Sequence, residues 1–418
     1  MTTSSTRESR FAVEFALLLA LAFFLPLREV PKNLLWLVYV VTWMVGRARS
    51  RDFGGRPDAI DWAVIGLFAS GALAAAFGGI SRGDGNEWHA TLDIVRYSLL
   101  FVLVRRAGYT AKQLCWLVAV LVVSCVLTMF EALWAWQVTG TRRALELRSV
   151  GHVNHSAIYM AICCGAAAGL LAARWRDLGA GARAALTGAV LVLAWGLFVG
   201  GSRAAAAAAI VVLLGAAFLG ALAAGLGRRV WLAVGLVVAL AALGGGATID
   251  RQLRWSQDNY VLAQRDLIWN RGLAAWREAP VFGLGMENYG HFRDRDLEAW
   301  VVARGEVYDK SRYAGAPHGH SLYINTLVER GLVGLAALLV FLGAVGWRLV
   351  TALPRSGGDE AQSALWYAAA SAWMVSVGIG VVNTTLHHEH AILAMLLMAL
   401  PLTRAPNPSV PPAPPAPP

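Results

Sequence analysis

Residues 113–131 read QLCWLVAVLVVSCVLTMFE, an apolar run with no charge between Gln113 and Glu131. Roughly 20 such residues, wound as a helix, cross the hydrocarbon of a bilayer. Lipid offers the backbone no hydrogen-bond partners, so a run of this kind has to be helical. Similar runs lie near 11–25, 33–46, 61–78 and 90–104 on its N-terminal side. On its C-terminal side they lie near 154–173, 184–200, 203–222, 230–248, 321–347, 363–382 and 389–403. The expectation is an all-α polytopic integral membrane protein with about 12 transmembrane helices. Composition agrees: 418 residues, 57% hydrophobic and 15% charged, fall far from soluble averages.

Four regions follow. Residues 1–248 hold nine spans with short loops, and residues 249–320 form one large polar loop expected to contain short helices. Residues 321–404 hold three more spans, and residues 405–418 are a Pro/Ala-rich tail expected to be disordered. No cleavable signal peptide is expected, because the first apolar run lacks a small-residue cleavage site. The four cysteines all fall inside apolar runs and read as packing residues.

The net charge of +10 does not point to nucleic acid, for no nucleic-acid-binding motif accompanies it. Its distribution points to topology. With the N-terminus in the cytoplasm, the short loops and ends on that side carry 17 Lys and Arg, against 7 in the opposite short loops. That bias places both termini in the cytoplasm and the large loop outside.

Unusual polar groups then gather on the outer side. They are Arg148 to His155 between spans five and six, and Gly200-Gly201-Ser202-Arg203 between spans seven and eight. The large loop adds Arg251, Arg254, Arg265, Arg271, His318 and His320, and Asn383 to His390 lies between the last two spans. Arginine at a membrane edge is costly unless it pairs, and several converging there suit an anionic headgroup. Arg203 reads either as a snorkelling residue or, with Ser202 and the first amides of a span, as a phosphate site. Arg265 sits in an expected amphipathic helix over 261–278, whose Ile268, Trp269, Leu273 and Trp276 can lie on the bilayer surface. Pro280 ends that helix, and Gly283 and Gly285 make a tight bend. His318 and His320 read as turn residues, as metal ligands together with the His387-His388-Glu389-His390 cluster, or as a general base near neutral pH. No cysteine or supporting pattern favours the metal. Glu329 and Arg330 read as structural.

These residues resemble the bacterial O-antigen ligase and polymerase superfamily of membrane glycosyltransferases. Four patterns carry the likeness: Arg148 with Gly151 and Asn154; Ser202-Arg203; Arg265 with Trp269, Pro280, Gly283, Gly285 and Tyr289; and His318-Gly319-His320 followed by Glu329, Gly331 and Gly334. Ser321 stands where the family commonly has Asn, which leaves the choice of base between His318 and His320, with His320 favoured by motif position.

The resemblance implies a GT-C-like glycosyltransferase of the bacterial inner membrane with a periplasmic active site. It implies a ligase that takes its glycan from undecaprenyl pyrophosphate and passes it to a sugar hydroxyl of lipid A–core, by inverting displacement without metal or other cofactor. Partners are the lipid-linked donor, the lipid A–core acceptor and membrane lipids, with no nucleic acid. Catalytic roles fall to His320, His318, Arg265 and Arg203. Substrate contacts fall to Arg148, Asn154, Ser202, Trp269, Arg254, His387 and His388. An O-antigen polymerase using the same donor is the alternative within the superfamily, and a transporter or flippase of lipid-linked sugars the alternative outside it. A transporter should place its polar groups near the midplane, whereas here they gather at one interface.

Overall fold

The computed structural model describes residues 2–80, 86–200, 264–354 and 358–403, with side chains from residue 12 onward. The expected spans over 203–222 and 230–248, the residues Ser202, Arg203 and Arg254, and the tail lie outside the described residues. Among the described residues every regular element is helical: α1 Thr2–Phe24, α2 Glu29–Ser50, α3 Ala59–Phe77, α4 Asn86–Arg106, α5 Ala111–Gln137, α6 Val153–Ala173 and α7 Ala180–Val199. The loop supplies α8 Arg265–Trp276 and α9 Asp294–Ala303. After it come α10 Leu322–Thr351, α11 Glu360–Ile379 and α12 His388–Ala399.

By length and composition five of these can cross a membrane: α3, α5, α6, α7 and α10. Two shorter apolar helical segments, Ala12–Phe24 and His388–Leu402, accompany them. The protein is a multi-pass membrane protein. Charge within α2 (Lys32, Arg47, Arg49) and α4 (Asp93, Arg96) separates those two helices from the uniformly apolar ones.

Helix starts follow local chemistry. Asp58 caps α3, its carboxylate accepting from the amides of Ile60 and Asp61. Thr110 and Gln113 close a similar box at α5, and Asp359 caps α11. At the centre lies α6, packed on α5, α7 and α11. Small residues permit this: a Cβ at Gly169 would fall 2.4 Å from the Tyr367 Cβ.

The turns sort onto two ends. At one end the Ser149 amide donates to the Pro26 carbonyl at 3.0 Å, Gly79 to Gly283 at 2.9 Å, and Leu322 to Gly380 at 2.7 Å. These bonds join the α5–α6 turn to the α1–α2 turn, the α3–α4 turn to the large loop, and the start of α10 to the α11–α12 turn. At the other end Arg105 and Arg106 pair with Asp61, Arg105 also pairs with Asp58, and its Nε donates to the Leu402 carbonyl at 3.2 Å.

A buried lysine ties the loop end together. Lys32 is 1% exposed, pairs with Glu389, and donates to the Ser149 hydroxyl at 2.9 Å. Removing one partner strands a buried charge, at about 3–5 kcal/mol. Lys32→Met is expected to lower the melting temperature of the detergent-solubilised protein, and Lys32→Met with Glu389→Met to recover part of the loss.

The loop has its own core, in which Ile268 and Ala275 of α8 pack with Tyr289, Phe292, Leu297, Val301 and Val328. This corrects the expectation that Ile268, Trp269 and Trp276 lie on a bilayer surface, for they face that core. Within the described residues α8 begins at Arg265, after Gln264 in a left-handed conformation, and ends at Trp276. Arg271 is structural too. It is buried, pairs with Asp294, donates to the Phe292 carbonyl at 2.7 Å and lies over the Phe292 ring.

Candidate active site

Two glycine crossings set the loop against the bundle. Helix α10 breaks at Gly331 (φ 63°, ψ −164°), freeing the carbonyls before it. Into that break runs the segment after Pro280. The Leu284 amide donates to Val328 at 2.8 Å and Gly285 to Glu329 at 3.1 Å, while the Leu332 amide donates to Pro280 at 2.9 Å. The backbones touch, since a Cβ at Gly283 would fall 2.4 Å from the Glu329 carbonyl carbon. The Gly-X-Gly and Glu-X-Gly patterns are the two halves of one contact.

The His318-Gly319-His320 turn is held from both sides. The Trp269 indole N–H donates to the Gly319 carbonyl at 2.8 Å, and the Gly319 amide donates to Asn325 Oδ1 at 2.8 Å. Trp269 therefore positions the histidines, one helical turn along from Arg265. Trp269→Phe removes that donor while keeping most of the ring's bulk. It should cost about 1 kcal/mol in stability, read as a lower melting temperature of the detergent-solubilised protein.

Seven of the chain's nine histidines meet at this end of the bundle. His155 lies at their centre, its ring centroid 4.8 Å from His390, 5.9 Å from His388, 6.1 Å from His387 and 6.3 Å from His318. His318 and His320 are 4.2 Å apart, and His152 stands 5.7 Å from His155. They come from four places in the chain: the start of α6, the end of the loop, the α11–α12 turn and the first turn of α12. His390 is fully buried and its Nε2 donates to the Thr384 carbonyl at 2.9 Å.

Three of the rings outside the membrane-spanning helices, His318, His320 and His387, are pushed toward the neutral form. Burial, then His318, Arg265 and His152, bring His320 down to about 4 from 6.5. Burial and the neighbouring imidazoles lower His318, and His387 more strongly. A neutral imidazole can accept a proton, and the buried Nδ1 atoms of His320 and His387 have no hydrogen-bond partner among the described residues. Also among the described residues, no three His, Cys, Asp or Glu side chains are arranged to share a metal ion.

Backbone strain gathers here as well. Among the described residues five non-glycine residues have positive φ; His320 and His388 belong to the cluster, Glu287 lines the pocket beside it and Gln264 precedes Arg265. Each costs about 1–3 kcal/mol and persists where the surroundings enforce it.

The remaining expected residues are placed as follows. Arg265 is half-buried and close enough for its charge to act on His320. Arg148 is exposed and pairs with Glu131 at 2.9 Å, which also binds Arg28 at 3.0 Å. That places Arg148 in a surface network at the same end, without a contact to the histidine rings among the bonds found. The Asn154 amide donates to His152 Nδ1 at 3.2 Å in the first turn of α6. His387 and His388 join the cluster directly. Lys32 is the residue that sequence reading passed over, and His155, counted there among the outer polar groups, was given no role of its own. The only hint was a histidine in the first turn of an apolar run and a lysine beside the start of another.

Residues 188–339 match the family described as O-antigen ligase. The match runs from α7 through the large loop and into α10, so it takes in Arg265, His318 and His320. Over these residues the resemblance to the O-antigen ligase superfamily is supported. The chain is also 32% identical over 84 residues to an uncharacterized protein of Haemophilus influenzae, an alignment covering 20% of this chain and 19% of that protein.

Proposed function

We propose that the protein is an O-antigen ligase of the bacterial inner membrane, with the histidine–arginine site on the periplasmic side. It would transfer a glycan from undecaprenyl pyrophosphate to a sugar hydroxyl of lipid A–core. The observation that carries this reading is the meeting of a neutral His318–His320 pair with Arg265 inside the stretch that matches the O-antigen ligase family. The remaining features of the reading come with it: about 12 spans, cytoplasmic termini and a GT-C-like architecture.

The chemistry balances within these groups. The acceptor oxygen attacks the anomeric carbon from the face opposite the pyrophosphate, so configuration inverts. As the new C–O bond forms, the bond to the phosphate oxygen breaks and undecaprenyl pyrophosphate leaves with the bonding pair. His320 takes the hydroxyl proton. Arg265, with Arg203 from the adjoining segment, offsets the charge gathering on the pyrophosphate, and positioned cations of this kind are worth most in a desolvated site. Trp269 fixes the turn, Arg148, Asn154, His387 and His388 line the approach of the two substrates, and Ser202 and Arg254 are assigned substrate contacts from their places in the sequence. No step calls on a metal or a nucleotide.

A pH dependence follows with a definite sign. In the free enzyme His320 is proton-free down to about 4, so the acid limb of kcat/KM should fall near there instead of near 6.5. Bound pyrophosphate favours the protonated ring, and the acid limb of kcat should therefore lie at higher pH. Folding stability should fall as pH drops from 6.5 toward 4, where the unfolded imidazole takes a proton that the folded one resists.

The test is reconstitution of the purified protein with lipid-linked O-antigen and lipid A–core, without nucleotide and with chelator. A lipopolysaccharide ladder is expected. Longer glycan on the lipid carrier would make the protein a polymerase, and labelled donor crossing the bilayer without transfer would make it a transporter.

A further inference from the structure

A pocket opens beside the histidine cluster, between α4, the first half of α10 and the α11–α12 turn. Its walls carry Asp93, Tyr97, Glu287, Glu329 and Arg330, and it meets the cluster at His387 and His388. Arg330 is 6% exposed. Its Nη2 donates to Thr326 Oγ1 at 3.0 Å, while the buried Nη1 has no partner among the described residues. A guanidinium nitrogen in that position is costly unless a ligand accepts from it. Gly334 makes room for the stem of that side chain, for a Cβ there would fall 2.1 Å from the Arg330 Cβ.

Around this donor stand acceptors. Glu329 takes one hydrogen bond on Oε2, from Asn325 at 3.0 Å. Glu287 projects from a backbone with φ 55° and takes part in the wall. Asp93 is already paired with Arg96 at 3.1 Å. Arg330 thus shares the wall with the carboxyl groups of Asp93, Glu287 and Glu329, a lining with no surplus of positive charge for a phosphate. One fixed donor, several carboxylate acceptors and the Tyr97 ring match an uncharged ligand whose hydroxyls both give and accept.

Position assigns its role. Arg265 acts on the cluster at His320, whereas the pocket meets it at His387 and His388. The pocket wall is also wired to the catalytic turn, since Asn325 accepts from the Gly319 amide and donates to Glu329. We infer that this pocket is the subsite for a neutral pyranose of the acceptor, with the charged pyrophosphate held on the Arg265 side. The assignment of acceptor over donor rests on the transferase reading above.

Two measurements test it. The first is saturation-transfer NMR of donor-free protein with deacylated, dephosphorylated core oligosaccharide, using wild type, Glu287→Gln and Thr326→Val. The second is the acceptor and donor KM of the same proteins after reconstitution. Wild type should bind the oligosaccharide and lose the signal on re-phosphorylation near the terminal sugar. Each variant should weaken binding and raise the acceptor KM by about tenfold, as loss of one hydrogen bond with a charged partner implies, with the donor KM unchanged. Equal binding by wild type and both variants, or a change confined to the donor KM, overturns the subsite. Binding is read without turnover. Binding that is lost in the variants, in a protein that makes no transfer product, keeps the sugar site and removes the transferase reading. Normal transfer with an unmoved acceptor KM does the reverse. Glu287 is exposed, and its variant carries little risk to folding.

Discussion

His320→Ala is expected to reduce transfer by about 10²–10⁴-fold, the usual worth of a positioned general base, with donor affinity nearly unchanged. The reasons are local. His320 stands next to the charge of Arg265, and its buried Nδ1 is uncommitted among the described residues. It also occupies a strained conformation with φ 44° that the Trp269 and Asn325 bonds to Gly319 help to enforce. Added imidazole should restore part of the rate. His388→Ala, at the exposed rim of the cluster, should lose much less. Reconstituted single-turnover assays with equilibrium donor binding check both, and equal losses in the two variants would move the base elsewhere.

The second large effect is on folding. Gly331→Ala should unfold the junction between loop and bundle. A Cβ there would fall 2.2 Å from the Val281 carbonyl oxygen, and φ 63° with ψ −164° belongs to a region that only glycine occupies readily. Neither neighbour is a flexible side chain, so nothing can swing aside. A loss of roughly 4 kcal/mol or more follows, visible as lost monodispersity in detergent. Gly343→Ala, in the same helix with open space around it, should be silent or mildly stabilising.

These two residues show what sequence could reveal. Every apolar run within the described residues became a helix, because backbone satisfaction in lipid leaves little choice. Their ends moved, however. Helix α2 extends to Ser50 through the basic run that reads as a loop, and α10 runs from Leu322 to Thr351 across a break at Gly331. The motif glycines were legible as glycines, but their reason was not, since Gly283 and Gly331, 48 positions apart, constrain one another. The histidine motifs near 318 and 387 were legible as chemistry. The central place of His155 was not, because most of its partners come from the C-terminal part of the chain and it sits in an otherwise apolar helix. Lys32 escaped for the same reason, paired with Glu389 far along the chain. Arg271 shows the opposite error, a loop arginine that reads like Arg265 and serves the loop's own core.

The most direct measurement is single-turnover transfer in proteoliposomes loaded with radiolabelled lipid-linked glycan and lipid A–core, comparing wild type, His318→Ala, His320→Ala and Arg265→Gln. The expected result is complete transfer by wild type, donor bound but not transferred by His320→Ala, and weak donor binding by Arg265→Gln. Wild-type transfer rates in both histidine variants would contradict the assignment of this site.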